Sequence, residues 1–112
     1  MEYEIEEKGS VSIVRINEER ATILQGVDEL KKALLDIIEQ GHVNLVVDMS
    51  KVEFADSSML GALVSALKMV TRKRGDLKIV GLNPPVRAIF ELTRLYRVFE
   101  IFESRDDAVA SF

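Results

Sequence analysis

The sequence lacks the side chains on which several classes of protein depend. It contains no cysteine, and its only histidine is His42. Without cysteine the chain has no disulfide framework, no thiolate nucleophile and no cysteine zinc site, and it fits a reducing compartment. We therefore predict no metal site and no bound cofactor.

Long apolar runs and basic leader segments are also missing. No apolar run approaches the roughly 20 residues that span a bilayer, and the acidic start MEYEIEEKGS does not resemble a secretory signal. The formal net charge of −4 argues against a surface that displaces counterions from nucleic-acid phosphates. We expect a cytoplasmic protein that binds neither nucleic acid nor membranes.

The residues that are present fit one folded domain. The chain has 112 residues, of which 47% are hydrophobic and 30% are charged, so it can bury a core. Strand and helix patterns follow the order β-β-α-β-α-β-α-β-α. This order predicts a mixed, mostly parallel sheet of four to five strands flanked by helices, in a single α/β domain over residues 1–112.

The clearest segments are a helix over 27–40, a strand over 43–49 that is buried on both faces, and a second helix that reaches Arg74. The stretch EERATILQG reads as a loop, and Asn83 reads as the cap of a helix begun by Pro84. The second helix has an apolar stripe at helical spacing: Leu60, Leu63, Val64, Leu67 and Val70. Basic residues near its end read as a solvated cluster: Arg72, Lys73, Arg74 and Lys78.

The junction FADSSMLGALV, residues 54–64, places Asp56, Ser57 and Ser58 between a buried strand and an apolar helix. Aspartate and serine are among the best helix caps. Three such residues in a row exceed what capping needs, because one or two suffice. Capping alone, a nucleophile, and an anion or modification site are the alternatives.

A nucleophilic serine would need a base within hydrogen-bond reach. His42 precedes the strand over 43–49 and the serines follow its other end, about 23 Å away for seven extended residues. The motifs GxSxG, GxGxxG and HExxH and a P-loop are absent. We predict no catalytic residue, and a small nucleotide-binding or hydrolysing enzyme is the alternative from another class.

The anion interpretation requires only the helix itself. A serine in the first turn lies where free N–H groups and the helix dipole favour negative charge. A phosphate there would add about −1.5 to −2 charges at little cost to the fold. Such a position suits a switch.

The stretch LVVDMSKVEFADSSMLGALVSALK resembles the signature of the STAS domain of bacterial anti-sigma factor antagonists. The family pattern is D-[LM]-S-x-V-x-F-x-D-S-[ST]-G-L-G after an apolar strand. It is matched here at Asp48, Met49, Ser50, Val52, Phe54, Asp56, Ser57, Ser58, Leu60 and Gly61. The resemblance covers residues 43–112, including the proline-initiated helix, whereas residues 1–42 fit the topology only.

The resemblance implies that Ser57 is a phosphoacceptor. In the family, the unmodified protein binds an anti-sigma factor that is also a serine kinase, and a sigma factor is released. Phosphorylation abolishes binding, and a serine phosphatase resets the switch. We expect partner contacts at Asp56, Ser58, Met59 and Leu60, secondary contacts at Glu19, Arg20 and Thr22, and a monomer when free.

Two stretches depart from the family pattern. Met59 replaces a glycine that lets a partner approach closely, so methionine narrows this access or makes an apolar partner contact itself. The stretch NEERAT replaces the common G-x-[LIV]-D. The alternative within the family is an accessory subunit of a lipid-trafficking ABC transporter, in which the same helix face docks on an ATPase without phosphorylation.

Overall fold

The computed structural model describes all residues from Met1 to Phe112. The longer elements follow the predicted order. In chain order the elements are β1 (Tyr3–Lys8), β2 (Val11–Ile16), β3 (Arg20–Ala21), α1 (Val27–Glu39), β4 (Asn44–Asp48), β5 (Phe54–Ala55), α2 (Ser57–Arg72), β6 (Asp76–Val80), α3 (Pro84–Leu92), β7 (Ile101–Phe102) and α4 (Arg105–Ala110). None of the helices combines the length and the apolar character needed to cross a membrane.

Five strands form the main sheet in the order β1-β2-β4-β6-β7. β1 and β2 form an antiparallel hairpin, while β2, β4, β6 and β7 run parallel to one another. The hairpin turns at Gly9, whose φ of 61° favours glycine. The predicted mixed, mostly parallel sheet is confirmed, and β4 occupies its centre as its unbroken apolar run requires.

The two faces of the sheet are covered unequally. Helices α1, α2 and α3 contribute to one large apolar cluster with alternate residues of β2, β4 and β6. The opposite face carries a small cluster beneath the short helix α4, made of Val11, Ile13, Val46, Val80 and Ala108. The large cluster therefore fixes the position of α2, the helix that follows the polar junction.

The face of helix α2 that packs against the core differs from the face predicted by the spacing of its leucine and valine residues. Its buried residues are Met59, Ala62, Leu63, Ala66 and Val70. Leu60, Val64 and Leu67 are only partly buried, so the predicted stripe is correct at Leu63 and Val70 alone. The two alanines lie at the buried centre of this face, where their small side chains permit close packing, and the larger side chains flank them.

Asn83 precedes α3, but its side chain does not cap that helix. Its amide nitrogen instead donates to the backbone oxygens of Ser50 at 2.8 Å and Val52 at 3.0 Å. This corrects the predicted capping role. These two hydrogen bonds hold in place the segment that connects β4 to the junction at residues 54–64.

Two charged side chains are buried on the α4 side of the sheet, Asp48 and Lys78, each only 4% exposed. Lys78 donates to the Ser111 backbone oxygen at 3.0 Å, and its ammonium lies 4.4 Å from the ring centroid of Phe112. The prediction that Lys78 belongs to a solvated basic cluster is therefore wrong. Its position in β6 opposite Val46 directs it beneath the C-terminal residues instead.

Asp48 connects the end of β4 to α4. Its carboxylate accepts from the Ser50 N–H at 2.9 Å and from Arg105 Nε at 2.8 Å, and Arg105 also pairs with Glu6 at 3.2 Å. Burial alone would raise the pKa of Asp48, but the hydrogen bonds from Ser50 and Arg105 outweigh burial and hold this pKa below its ordinary value. The ionised carboxylate therefore stabilises the fold.

We expect Asp48→Asn to lower the free energy of unfolding at pH 7 by about 1.5–3 kcal/mol, the range for hydrogen bonds to charged groups. Because the folded pKa is depressed, this contribution is complete above the unfolded value of about 3.9 and is lost as pH falls through the folded value. Urea denaturation of both proteins between neutral and acidic pH measures the difference.

The control for this measurement is Glu39→Gln, because Glu39 is exposed and has no ion pair. It should change stability by no more than about 0.5 kcal/mol at any pH. A difference between wild type and Asp48→Asn that stays constant from pH 7 to the acid limit would contradict the role of the Asp48 charge.

Candidate functional site

The three polar residues of the junction have different environments at the start of α2. Asp56 is the N-cap, with an extended backbone, and Ser57 is the first helical residue. Ser57 is exposed, and its hydroxyl makes no hydrogen bond within the protein. Ser58 is partly buried, and its hydroxyl donates to Asp56 Oδ1. The only uncommitted hydroxyl at this helix N-terminus is therefore that of Ser57.

The two carboxylate oxygens of Asp56 accept hydrogen bonds from two different parts of the chain. Oδ1 accepts from the Met59 N–H at 3.1 Å as well as from the Ser58 hydroxyl, and so caps α2. Oδ2 accepts from the N–H of Ile23 at 3.0 Å, in the turn that precedes α1. One side chain thus joins the helix to a distant turn.

These contacts change the acidity of Asp56. The hydrogen bond from Ser58 is the largest cause, and together with the N–H groups of Ile23 and Met59 it outweighs desolvation and lowers the pKa of Asp56. The carboxylate therefore stabilises the fold above the unfolded pKa. That contribution is lost as pH falls through the folded pKa.

The segment read as a loop from the sequence pairs with the junction. β3 and β5 form a two-stranded parallel sheet in which Arg20 is opposite Phe54. The backbone oxygen of Glu19 accepts from Glu53 N at 2.7 Å and Phe54 N at 3.0 Å. The structure thus brings Glu19 and Arg20 to the same surface as Ser57, with both side chains exposed.

Two of the residues predicted to contact a partner, Met59 and Thr22, are buried in the structure. Met59 is 0% exposed and belongs to the large apolar cluster, so its side chain has no surface to offer a partner. Thr22 is 6% exposed, and its hydroxyl is bonded to Gln25 and accepts from the Leu24 N–H. Leu60, by contrast, is partly exposed next to the serines.

Exposed apolar side chains lie close to these residues, and the sequence analysis missed them. Leu24 is 89% exposed, Ile23 is 50% exposed and Phe54 is 42% exposed. The guanidinium carbon of Arg20 lies 4.5 Å from the Phe54 ring centroid. We call Ile23, Leu24, Phe54 and Leu60 the apolar rim. Leu60 is among the predicted partner contacts, whereas Ile23, Leu24 and Phe54 become neighbours of the serines only through tertiary contacts of the turn and of β5.

No group of three or more histidine, aspartate or glutamate side chains is arranged to hold a metal ion. His42 lies away from the junction, with its Nδ1 at 3.2 Å from the Ser12 hydroxyl and 3.4 Å from Glu7. Ser12 is 1% exposed and donates to the Glu7 carboxylate, so this trio does not form an accessible nucleophile. Ser57 therefore has no histidine beside it to act as a base.

Comparison with known proteins identifies a family whose model covers nearly the whole chain. The family model of the STAS domain matches residues 2–108. The anti-sigma F factor antagonist of Paenibacillus polymyxa is 24% identical over 110 residues, which cover 97% of this chain and 92% of that protein. The anti-sigma-B factor antagonist of Bacillus subtilis (strain 168) is 25% identical over 109 residues, which cover 97% of this chain and 99% of that protein.

Solved structures share the fold. The anti-sigma factor antagonist SpoIIAA in its unphosphorylated form superposes with a TM-score of 0.82 at 16% identity, covering 96% of this chain and 93% of that one. The Bacillus cell fate determinant SpoIIAA in its phosphorylated form gives a TM-score of 0.78 at 15% identity, covering 98% of both chains.

We expect Met59→Ala to lower the free energy of unfolding by about 2–5 kcal/mol, because truncating a buried methionine leaves a cavity. Leu60→Ala is the matched control in the next position, and its loss should be smaller because Leu60 is already partly exposed. Urea denaturation measures both losses. Equal losses at the two positions would contradict the orientation of α2 that buries Met59 and leaves Leu60 partly exposed.

We also expect Ser58→Ala to raise the pKa of Asp56 towards its ordinary value, because the largest cause of its lowering is removed. Ser57→Ala is the control, since that hydroxyl does not contact Asp56. Titration of the Asp56 side-chain carboxyl carbon by NMR reports both variants. If both variants shift the Asp56 pKa equally, the structure is wrong to have the Ser58 hydroxyl bonded to Asp56 and the Ser57 hydroxyl free.

Proposed function

The chain belongs to the STAS domain family, and we propose that it is an anti-sigma factor antagonist with Ser57 as its phosphoacceptor. The observation that carries this proposal is the uncommitted, exposed hydroxyl of Ser57 at the N-terminus of α2. The partner would be an anti-sigma factor with serine kinase activity, and a separate serine phosphatase would reset the switch. In this role the protein is a cytoplasmic regulator, monomeric when free, without catalysis of its own.

Ser57 is a better acceptor than Ser58 for a physical reason. Phosphoryl transfer needs the serine oxygen to approach the terminal phosphate of ATP, while the hydroxyl proton passes to a base of the kinase. Ser57 is exposed and its proton is not engaged. Ser58 donates its proton to Asp56 and would have to give up that bond and the capping geometry it supports.

The apolar rim supplies a surface for the anti-sigma factor. Exposed apolar side chains are often the centre of a protein interface, and here they lie beside the neutral Ser57 hydroxyl. Arg20, stacked on Phe54, and the exposed side chain of Glu19 add charged groups on the same surface. Asp56 would support this surface by hydrogen bonds within the protein, because its carboxylate already accepts from the protein itself.

Phosphorylation would then act on the interface and leave the fold intact. At the N-terminus of α2 added negative charge is favoured locally by about 0.3–1 kcal/mol. In the complex, the phosphate would be buried against a surface that fits a neutral hydroxyl, and an unpaired buried charge costs several kcal/mol. Each 1.4 kcal/mol corresponds to about tenfold in affinity, so we expect a loss of about a hundredfold or more.

The experiment compares wild type, Ser57→Ala and Ser57→Asp. Incubation of wild type with the anti-sigma factor and ATP should give one phosphate, on Ser57, and Ser57→Ala should not be labelled. Ser57→Asp should keep the thermal stability of wild type within a few degrees and lose part of the affinity, because it carries only about one charge. Calorimetric titration with the anti-sigma factor measures the affinity.

The control is Ser58→Ala, which leaves the acceptor in place and should still be labelled. Labelling at Ser58 in the wild type, or a Ser57→Asp variant that binds as tightly as wild type, would falsify the switch at Ser57. If Ser57→Asp fails to bind because it has unfolded, the serine has a structural role and the proposed mechanism is wrong.

A further inference from the structure

We propose that Asp56 is a positioning residue that holds the turn over residues 22–25 against α2, so that Ile23 and Leu24 are presented to a partner in a fixed orientation. The contact by which Asp56 holds the turn lies within this chain and can be tested without a partner. Its effect on a partner rests on the proposed function.

The turn is well ordered within itself. Thr22 Oγ1 accepts from the Leu24 N–H at 3.2 Å, and the Thr22 backbone oxygen accepts from Gln25 N at 3.0 Å. Gly26 closes the turn with a φ of 92°, and its N–H donates to the Ile23 oxygen at 3.2 Å. These bonds fix the shape of the turn but do not orient it relative to α2.

Apolar packing cannot supply that orientation at the tip. Leu24 is 89% exposed and Ile23 is 50% exposed, so neither side chain is anchored in the core. The Ile23 N–H is itself at the surface, and its partner within the protein is Asp56 Oδ2 at 3.0 Å. This bond therefore connects the exposed tip of the turn directly to the helix that carries Ser57.

A carboxylate suits this position better than the other common caps. A serine or threonine cap has one oxygen, which is used by the helix N–H group. Asp56 has two, and here Oδ1 serves Met59 and Ser58 while Oδ2 serves Ile23. Helix capping alone would need only the first oxygen, so the second bond is the signature of the positioning role.

The decisive variant is Asp56→Ser, which keeps a good helix cap and removes the oxygen that reaches Ile23. Amide hydrogen exchange followed by NMR reports the two bonds separately. We expect exchange at Ile23 to become faster by about tenfold or more, while Met59 stays within about threefold of wild type. Ser104→Ala is the control, because it removes a similar cap from the distant α4, where Ser104 accepts from Asp107 N at 3.1 Å.

Unchanged exchange at Ile23 in Asp56→Ser would overturn the positioning role. So would an equal acceleration at Ile23 in Ser104→Ala, because the effect would then follow from general destabilisation. If Met59 exchange rises as much as Ile23 exchange, the serine has failed to cap and Asp56 acts as a cap only, which also overturns the proposal.

The effect on a partner is tested with the anti-sigma factor that binds the wild-type domain, using a double-mutant cycle. Asp56→Ser and Leu24→Ala should each weaken binding by about tenfold, and the double variant should be little weaker than either single one. Additive losses would show that Asp56 does not act through the turn. If the wild type binds no anti-sigma factor, the proposed function fails, while hydrogen exchange still decides the positioning role.

Discussion

The carboxylate of Asp56 is the contact on which the arrangement of the polar junction depends. Through one oxygen it caps α2, and through the other it holds the turn before α1. The pairing of β3 with β5 supports the same junction through the backbone, since Asp56 N donates to the Ala21 oxygen at 3.3 Å. Two segments that are more than 30 residues apart in the chain thereby form one surface.

The opposite face of the sheet follows a different principle. The short helix α4 packs on this face, where buried charged groups accompany an apolar cluster that is much smaller than the one on the other face. Asp48 and Lys78 are almost fully buried, and each has partners near the C-terminus, Arg105 for Asp48 and Ser111 for Lys78. Buried charges are costly without such partners. The C-terminal segment therefore completes the domain by satisfying these charges as well as by covering the small apolar cluster.

The sequence was sufficient for the elements whose signals are long and regular. The unbroken apolar run of β4 and the helical spacing of α1 each predicted what the structure has, because each depends on local periodicity. The family resemblance added the identity of the domain and singled out Ser57 among the hydroxyls of the junction.

The remaining features depend on tertiary contacts that leave little local trace. Strands of two residues, such as β3 and β5, have no measurable periodicity, so their pairing could not be predicted. Met59 and Leu60 are both apolar, and the packing of α2 on the face that carries its two buried alanines decides which of them is buried. The exposure of Leu24 likewise follows from the position of the turn, which Asp56 sets from a distant part of the chain.

The division of roles among Asp56, Ser58 and Ser57 explains why three polar residues stand together. Asp56 is engaged on both oxygens, and Ser58 is engaged with Asp56, so both are part of the fold. A modification at either would break bonds that hold α2 and the turn. Ser57 is adjacent to both and bonded to neither, and the dipole of α2 accommodates added negative charge there. The junction thus combines a rigid support with one free hydroxyl, an arrangement that suits the charge switch proposed for Ser57.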